Sequence, residues 1–432
     1  MKPRITKLRF SITALAAACA LAAVLTLVIH ERGQLPETMP LNLTYEELTG
    51  SVFTPPRGDP LRAPKVRVLK VPDFPGAMAI WGSTGRDSRG HIWFGISACC
   101  DGGSARLYEF VPESDIWLDH GAVTDQLKAA GAYHPGEGQI KIHSRIVLAG
   151  DGQLYFVSTD EEGEKADGSV LPHWGSHLWK IDPESGKWQH LLHVPEGLIA
   201  VAGVGRYVYA LGYWNHILYQ YDTQTSAIQR REIGSAGGHI SRNLISDARG
   251  HVFVPRVRRA ADGSLSAALV ELDNDLNERA TTPLDGYLGK GTLEGNEGIT
   301  GLAYLRNGRI VFLTSRGFLY ALDSIDPSAP DQPRTVQRLG WMHPEGEGRV
   351  ASLFSLGDNA NIAAIFDGQR SYEWVVMNLR VGMSAAFPMD ISDLKDVLLY
   401  GSITRDNRGR AYAVGWHSIP RGKGPLVLQI EP

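Results

Sequence analysis

The segment GRDSRGHIWFG (85–95), followed by LYEFVPESDIW (107–117), contains the structural unit that the rest of the chain repeats. A charged turn leads into a strand of alternating apolar residues, and a second strand then runs into a turn rich in Asp, Pro and Ser. The Gly or Asn at the tip of the first turn supplies the positive φ that a tight hairpin needs. The segment therefore predicts antiparallel strands joined by short turns.

Six further copies of this unit follow along the chain. The first strands of these copies, each with its turn, are AGDGQLYFVS (149–158), AGVGRYVYALG (202–212), SDARGHVFVP (246–255), YLRNGRIVFLTS (304–315), SLGDNANIAAI (355–365) and TRDNRGRAYAVG (404–415). The second strands are LWKIDPESGKW (178–188), LYQYDTQTSAI (218–228), LVELDNDLN (269–277), LYALDSIDP (319–327), WVVMNLRVG (374–382) and PLVLQIEP (425–432). Seven copies spaced by about 45–60 residues predict an all-β fold, a seven-bladed β-propeller of four-stranded blades.

The last copy ends after its third strand, so its blade lacks an outer strand. KVRVLKVPDF (65–74), which precedes the first copy, can supply that strand, close the ring and remove an open sheet edge. A chain of 432 residues would ordinarily suggest two or three domains. The repeat instead predicts one propeller domain over 64–432, with two stacked β-sandwiches as the structural alternative. The 48 glycines and 24 prolines fit a chain of short strands and tight turns.

The N-terminal segment has the features of a targeting or anchoring sequence. Residues 1–9 carry four positive charges, and an uncharged run at 10–29 follows, long enough as a helix to cross a bilayer of about 30 Å. The run exceeds the 7–15 residues or so of a signal-peptide core, which favours an uncleaved transmembrane anchor over a cleaved signal peptide. Residues 30–63 are expected to form a linker. The positive residues should stay in the cytoplasm, which predicts a propeller anchored to the inner membrane or secreted to the periplasm.

Composition and motifs exclude several classes of function. The net charge is −4, with 43 basic and 47 acidic residues, which argues against a nucleic-acid partner. The sequence contains no G-x-S-x-G elbow, no Walker loop and no H-E-x-x-H motif. Three cysteines are too few for a disulfide scaffold. The adjacent Cys99 and Cys100 could form a strained vicinal disulfide or remain two thiols.

Propeller topology gathers the candidate ligand-binding residues on one face. With strands A to D numbered outward from the axis, the D-to-A and B-to-C connections share a face, which we call the mouth. The long loops predicted there are rich in His, Tyr, Arg and Glu, although long loops collect polar residues in any fold. The candidate site residues on these connections are His143, His173, His177, Tyr213, Asn215, His216, His239, Arg242, Arg256, Arg316 and His417.

This set of residue types suits β-elimination on a uronate sugar. An Arg, or a divalent metal, would neutralise the uronate carboxylate and so stabilise the charge that develops when the C5 proton leaves. A His or Tyr would take that proton, and another would protonate the departing oxygen. No cofactor is certain, and a divalent metal remains open. Hydrolysis by two carboxylates among Glu294, Glu297, Glu345 and Glu347 is a chemical alternative.

Four segments resemble the seven-bladed propeller polysaccharide lyases, which include the ulvan lyases and the rhamnose–glucuronate lyases. They are KIHSRIVLAGDGQLYFVSTDE (141–161), HWGSHLWKIDPESGKW (173–188), GYWNHILYQYDTQT (212–225) and SRNLISDARGHVFV (241–254). The resemblance covers the first four blades best and weakens after about residue 290, and many uncharacterised exported propellers share it. It implies a lyase acting on an acidic, uronate-containing polysaccharide.

The resemblance also implies roles for single residues. It assigns proton transfer to His143 and Tyr213, and it places Arg242 and His173 on the carboxylate. The insertion EEGEKADGSVLP (161–172) leaves His177 as an alternative to His173, and loose spacing leaves Arg230 or Arg231 as alternatives to Arg242. The remaining candidates would bind substrate around them. The competing hypothesis is a non-catalytic propeller that senses a glycan or docks a protein at the same mouth.

Overall fold

The computed structural model describes residues 54–55, 60–100, 103–165, 168–289, 293, 297–368 and 371–432. These residues belong to one compact unit spanning Pro40–Pro432. The predicted basic segment and membrane anchor, and most of the linker, lie outside the described residues. Among the residues that are described, no helix is long and apolar enough to span a bilayer.

The strands form seven antiparallel sheets, so the prediction of a seven-bladed β-propeller is confirmed. In blades 1 and 2 the inner strand is split into two short pieces, both paired with the B strand. Blade 1 contains β2 (Ala77–Ala79), β3 (Thr84–Arg86), β4 (Ile92–Ala98), β5 (Arg106–Val111) and β6 (Ile116–Ala122). Blade 2 contains β7 (Lys141–Ile142), β8 (Val147–Leu148), β9 (Leu154–Thr159), β10 (Ser176–Ile181) and β11 (Trp188–Val194).

The next four blades each contain four strands in chain order from the axis outward. Blade 3 comprises β12 (Leu198–Val204), β13 (Tyr207–Gly212), β14 (Ile217–Asp222) and β15 (Ile228–Glu232). Blade 4 comprises β16 (Ile245–Ser246), β17 (Val252–Arg259), β18 (Leu265–Leu272) and β19 (Glu278–Pro283). Blade 5 comprises β20 (Ile299–Tyr304), β21 (Ile310–Thr314), β22 (Phe318–Leu322) and β23 (Val336–Trp341). Blade 6 comprises β24 (Val350–Ser355), β25 (Asn361–Asp367), β26 (Tyr372–Asn378) and β27 (Met383–Pro388).

Blade 7 is completed by a strand from the start of the domain, as the sequence predicted. Its strands are β28 (Leu398–Tyr400), β29 (Ala411–Ile419), β30 (Gly422–Glu431) and, on the outside, β1 (Lys65–Val68). The pairing of β1 with β30 is antiparallel and sets Lys65 opposite Glu431. The Ile80 N–H also donates to the Gly415 carbonyl at 3.1 Å, which joins blade 1 to blade 7 nearer the axis. The ring is therefore closed through hydrogen bonds.

The hydrophobic core lies between neighbouring blades rather than at one centre. Middle strands such as β9 and inner strands such as β12 are buried at every position, whereas the outer strand β11 is mostly half-buried or exposed. One core cluster joins Tyr209 and Leu218 of blade 3 to Val254 of blade 4. Each sheet is covered on both faces by its neighbours, which explains the near-continuous apolar runs of its middle strands.

The A-to-B turns, on the face opposite the mouth, carry a repeated ion network. In blade 4, Asp247 Oδ1 accepts the backbone N–H groups of Arg249 and His251 at 3.0 and 3.2 Å. The Arg249 guanidinium bonds Asp247 and Glu271, and it also donates to the Pro330 carbonyl of blade 5. We call Asp247, Arg249, His251 and Glu271 the turn-face network. It holds the hairpin together and joins it to the next blade.

Blades 1 and 7 repeat this arrangement at the corresponding turns. In blade 1, Arg89 bonds Asp87 and Glu109 and donates to the Pro183 carbonyl of blade 2. In blade 7, Arg410 pairs with its own turn carboxylate and donates to the carbonyl of Pro112 in blade 1. In blades 1 and 4 the arginine of the Asp-x-Arg-Gly motif thus contacts the proline of the following blade's outer turn. In blade 7 the same contact is made by Arg410, two residues after the motif's arginine.

One short helix, α1 (Val123–Ala129), interrupts the β structure between blades 1 and 2. The sequence analysis predicted no helix there. Val123 and Leu127 are four positions apart and both are buried, so they form a single apolar stripe against the core. Asp125 in the first turn and Lys128 in the last have the signs that the helix dipole favours.

Candidate functional site

The mouth of the channel contains side chains from five different blades. We call Trp81, His143, Tyr213, Arg242 and Tyr400 the mouth cluster. Trp81 and His143 lie in the gaps that split the inner strands of blades 1 and 2, and Tyr400 ends the inner strand β28. Arg242 precedes the inner strand of blade 4, and Tyr213 follows the B strand of blade 3. Arg242 and Tyr213 thus lie on the D-to-A and B-to-C connections of the mouth, while the other three lie within the inner strands.

Four of these side chains form a closed ring of contacts. An Arg242 Nη1–H donates to His143 Nε2 at 2.7 Å, and the guanidinium lies over the Tyr400 ring, 5.1 Å from its centroid. Tyr400 meets Trp81 edge-on with centroids 4.8 Å apart, and Trp81 in turn lies 6.4 Å from His143. Tyr213 lies 6.2 Å from His143, centroid to centroid, outside this ring of four.

The hydrogen bond from Arg242 fixes the protonation state of His143. A guanidinium can only donate, so Nε2 must carry the lone pair and the neutral ring must carry its proton on Nδ1. Burial, together with the positive charges of Arg242 and Lys141, holds the pKa of His143 well below its usual value. Its Nδ1 is buried and has no hydrogen-bond partner among the described residues. His143 is thus a neutral imidazole whose basic nitrogen is occupied by an arginine.

Tyr213 is held in its protonated form. Burial raises the pKa of Tyr213 to about 12, although the charge of Arg242 partly offsets this effect. The ring packs against Trp214 with centroids 4.3 Å apart, and the Tyr213 N–H donates to the Gly197 carbonyl at 2.6 Å. At neutral pH the phenol is therefore a proton donor in a fixed position, 6.2 Å from the His143 ring.

Arg242 has no carboxylate partner among the described residues. Three other cations near the mouth do have one: Lys141 pairs with Glu161, Arg316 with Glu347, and Arg349 with Asp367. The ammonium of Lys141 also lies 4.8 Å from the centroid of the Trp81 ring. The charge of Arg242 is therefore available to an anionic ligand.

A cavity of about 620 Å³ opens beside Arg242 and Tyr400. Its walls come from blades 4 to 7 and include Glu297, Arg316 and Arg349. Farther along the inner strands, a second void lined by Thr84, Ile146 and Arg405 has only about 30 Å³. The channel therefore narrows away from the mouth, and the volume of the outer cavity is large enough for a small ligand.

The structure brings together three of the four residues predicted to be catalytic, His143, Tyr213 and Arg242. The fourth, His173, is exposed on the long B-to-C loop of blade 2. Its N–H donates to the Glu162 carbonyl at 2.9 Å, and its ring packs on Trp174 at 4.2 Å. None of the described contacts joins His173 to the other three. The alternatives Arg230 and Arg231 lie on the outer strand β15.

The buried histidines predicted to bind substrate take part in internal hydrogen bonds. His177 bonds Glu137 through Nε2 and His190 through Nδ1, both at 2.9 Å. His216 donates to the His239 carbonyl, and the His239 ring bonds the hydroxyls of a serine and a tyrosine. Burial lowers the pKa of His177 and of His216, and lowers that of His239 to about 3. Each ring is therefore occupied by bonds that join loops and strands.

The other predicted binding residues lie on four different blades, and two of them, Arg256 and His417, lie within strands. Arg256 forms a bidentate pair with Glu278 at 2.9 Å, and Asn215 is exposed. Arg316 lines the cavity beside Arg242. His417 is half-buried on β29, opposite Gly424. Of the seven, Arg316 is thus the one that borders the cavity next to the mouth cluster.

The alternative catalytic carboxylates and the group of possible metal ligands lie outside the mouth cluster. Of the alternative carboxylates, Glu297 and Glu347 line the cavity, Glu345 does not, and Glu294 lies outside the described residues. Among the described residues, one group has three ligand atoms within 4.8 Å of one another, namely Asp87, His91 and Glu109. Arg89 already bonds both of these carboxylates at the turn face, so a cation there would compete with a guanidinium.

Two members of the mouth cluster, Trp81 and Tyr400, were missed by the sequence analysis. The signal was present in the repeat. Trp81, His143 and Tyr400 each stand nine residues before the glycine of the following turn, at Gly90, Gly152 and Gly409. Aligning the inner strands on that glycine would have placed the three side chains at the same height around the axis.

Comparisons with known proteins identify the fold and no family. No protein family and no curated protein matches the sequence. The β-propeller domain of Cps50 (Swd1) from Myceliophteria thermophila is similar in structure, with a TM-score of 0.53 and 9% identity over 85% of this chain and 99% of that one. A protein of unknown function from Dyadobacter fermentans has a TM-score of 0.47 and 12% sequence identity, and the match covers 86% of this chain and 100% of that one. A fungal alcohol oxidase in complex with copper has a TM-score of 0.49 and 12% sequence identity, and the match covers 86% of this chain and 77% of that one.

Proposed function

We propose that this propeller is a lyase that cleaves an acidic, uronate-containing polysaccharide by β-elimination at the mouth cluster. The observation that carries the proposal is the contact between Arg242 and a neutral His143. The arginine has no carboxylate partner among the described residues, and its planar guanidinium can pair bidentately with a uronate carboxylate. The contact supports the proposal because it joins a cation that can bind a carboxylate to a neutral imidazole that can act as a base.

Substrate binding would release the base in this scheme. A carboxylate is a stronger acceptor for Arg242 than a neutral imidazole, so the guanidinium would turn toward the sugar and free His143 Nε2. Nε2 then removes the C5 proton while Arg242 stabilises the negative charge that spreads onto the carboxylate. The C4–O bond breaks, a C4–C5 double bond forms, and the Tyr213 hydroxyl gives its proton to the departing oxygen.

The electrostatics of the two proton-transfer groups support these roles. His143 has a lowered pKa and is neutral, as a base must be, whereas Tyr213 has a pKa of about 12 and is protonated, as an acid must be. Trp81 and Tyr400 supply aromatic surface on which a sugar ring can pack. His173 has no part in this scheme, because its described contacts are with the blade 2 loop.

The test uses the full-length protein and a panel of polysaccharides containing glucuronate, galacturonate or mannuronate. Cleavage is followed by the ultraviolet absorbance of the unsaturated uronate product. His143→Ala and Tyr213→Phe should each lower the rate by about 10²-fold or more, as expected for lost general acid–base catalysis. Two matched controls should retain the rate. They are His193→Ala, on the outer strand of blade 2, and Tyr133→Phe, on the connection between blades 1 and 2.

Two outcomes would contradict the proposal. Absence of product with every polysaccharide, together with retained binding to one of them, would support the glycan-sensing alternative. Product formation that survives both His143→Ala and Tyr213→Phe would place the reaction elsewhere on the protein. Because the pKa of His143 is lowered, the active enzyme should also keep its rate as the pH falls through 6.5, the usual value for histidine.

A further inference from the structure

Two adjacent cysteines occupy the rim of the mouth at the end of β4 in blade 1. The Cys99 N–H donates to the Gly76 carbonyl at 2.8 Å, which holds the first cysteine beside the start of β2. The two Sγ atoms are 2.7 Å apart. Cys99 is half-buried and Cys100 is exposed to solvent. One sulfur is thus open to an external reagent while the second lies in contact with it.

The backbone of Cys100 has an unusual conformation. Cys100 has a φ of 75°, in the left-handed region that residues with a side chain rarely adopt. The two Sγ atoms, 2.7 Å apart, are in direct contact without being bonded. The backbone conformation of Cys100 thus brings its sulfur against that of Cys99, as closure of a bridge between the two would require.

We propose that Cys99 and Cys100 form a reversible dithiol–disulfide site that exchanges with small-molecule disulfides. The thiolate of Cys100 attacks one sulfur of the external disulfide, forms a mixed disulfide and releases one thiol. The thiolate of Cys99 then attacks the Cys100 sulfur and displaces the second thiol. The two cysteines lose two electrons and two protons in total, and the external disulfide is reduced to two thiols.

The product would be easily reduced again. Neighbouring Cα atoms are about 3.8 Å apart, whereas the Cα atoms of disulfides usually lie about 4.4–6.8 Å apart. A bridge between adjacent cysteines therefore stores strain, and strained, exposed bridges are the labile ones. This argues for a bridge that opens and closes rather than a permanent stabilising cross-link.

The location connects the pair to the mouth cluster through a few residues. Ala98 pairs with Ala77 in β2, and the chain after β2 leads to Trp81. Closing the bridge would change the backbone at the position that Gly76 and β2 pack against. Any effect on ligand binding rests on the proposed function, but the thiol chemistry does not.

The experiment treats full-length reduced protein with oxidised glutathione, quenches it under denaturing conditions with iodoacetamide, and analyses the tryptic peptide 90–106 by mass spectrometry. That peptide contains both cysteines between Arg89 and Arg106. The expected product is unalkylated and lighter than the reduced peptide by the mass of its two thiol hydrogens. Dithiothreitol should restore the doubly alkylated form.

Single variants separate the bridge from simple thiol modification. Cys99→Ser and Cys100→Ser should stop at a glutathione adduct, because no second thiol remains to displace it. Cys19→Ser removes the third cysteine and should behave like the unmodified sequence. A peptide that stays doubly alkylated, or that stops at the glutathione adduct with both cysteines present, would overturn the proposal. Neither outcome depends on whether the propeller is a lyase.

Discussion

At the turn face, Arg249 lies between two carboxylates, whereas at the mouth Arg242 donates to a neutral histidine and lies on a tyrosine ring. Both regions contain Arg and His, but the turn-face network lies within blade 4, whereas the mouth cluster draws on five blades at the opposite face. Every charge of the turn-face network is balanced inside the protein, and the network is repeated in blade 1. The mouth cluster occurs once in the described residues, and its arginine is left without an anion.

Under the proposed function, the repeat would serve stability at one end and ligand binding at the other. A buried ion pair that is satisfied on all sides stabilises its turn but leaves no group for a ligand. A half-buried cation without a carboxylate costs stability and gains affinity for an anion. Four changes would test this contrast, in order of decreasing expected effect.

Removing a carboxylate from the turn-face network should have the largest effect. Glu271 is buried and accepts bonds from Arg249, His251 and the N–H of Arg334. Glu271→Ala leaves a buried arginine without part of its balancing charge, which should lower the free energy of unfolding by about 3–5 kcal/mol. Urea unfolding measures this, with the exposed Glu232→Ala as control. A loss below about 1 kcal/mol would show that the network does not stabilise the fold.

The corresponding change at the mouth should affect activity and spare stability. Arg242→Ala should lower the rate of uronate elimination by about 10²–10³-fold, the range for loss of one charge-stabilising donor. The free energy of unfolding should stay the same or rise, because an unbalanced cation is removed. Arg242→Lys should recover only part of the rate, since an ammonium lacks the bidentate fork. Full recovery by lysine would show that charge alone is sufficient.

In blade 3, Glu196 stands nine residues before the turn glycine Gly205, the position that Trp81, His143 and Tyr400 occupy in their own blades. Burial raises its pKa from 4.5 to about 7, and its carboxylate accepts from the Tyr219 hydroxyl and the Asn215 N–H. A raised pKa means that the folded state holds the proton more tightly, so stability falls as the pH rises from 4.5 through about 7.

Glu196→Gln should therefore be more stable than the unmodified protein at pH 8, by up to about 3 kcal/mol, and show no such gain at or below pH 4.5. Unfolding midpoints at the two pH values measure the difference. Glu232→Gln, an exposed change, is the control. An equal gain at both pH values would mean that the carboxylate is not the source of the pH dependence.

The smallest effect is expected for an exposed ion pair on the same side as the turn-face network. Arg67 in the closing strand bonds both oxygens of Asp115, but both side chains are about half exposed. Arg67→Ala should cost at most about 1 kcal/mol, because solvent screens the pair. Thermal unfolding at low and high salt measures it. A loss above about 2 kcal/mol would show that pairing rather than burial distinguishes the two faces.

The architecture was predictable because each copy of the propeller repeat can be recognised from a short stretch of sequence. Each turn glycine and each alternating strand is visible in a short window, and the incomplete last blade pointed to residues 65–74. The site was predictable only in part. His143 and Arg242 flank inner strands and could be placed by counting, but the insertion at 161–172 sets His173 apart from them. Trp81 and Tyr400 required the copies to be aligned with one another, and the contact between Arg242 and His143 spans two blades, which no local pattern records.

The seam between β1 and β30 has a consequence for the order of synthesis. Lys65 leaves the ribosome long before its partner Glu431 is made. The ring cannot close until β30 has been translated, and until then β1 has no strand to pair with. A chain that stops short of residue 422 would leave both β1 and the edge of β29 open to other strands. Pairing of β1 with β30 can therefore occur only after the rest of the propeller has been made.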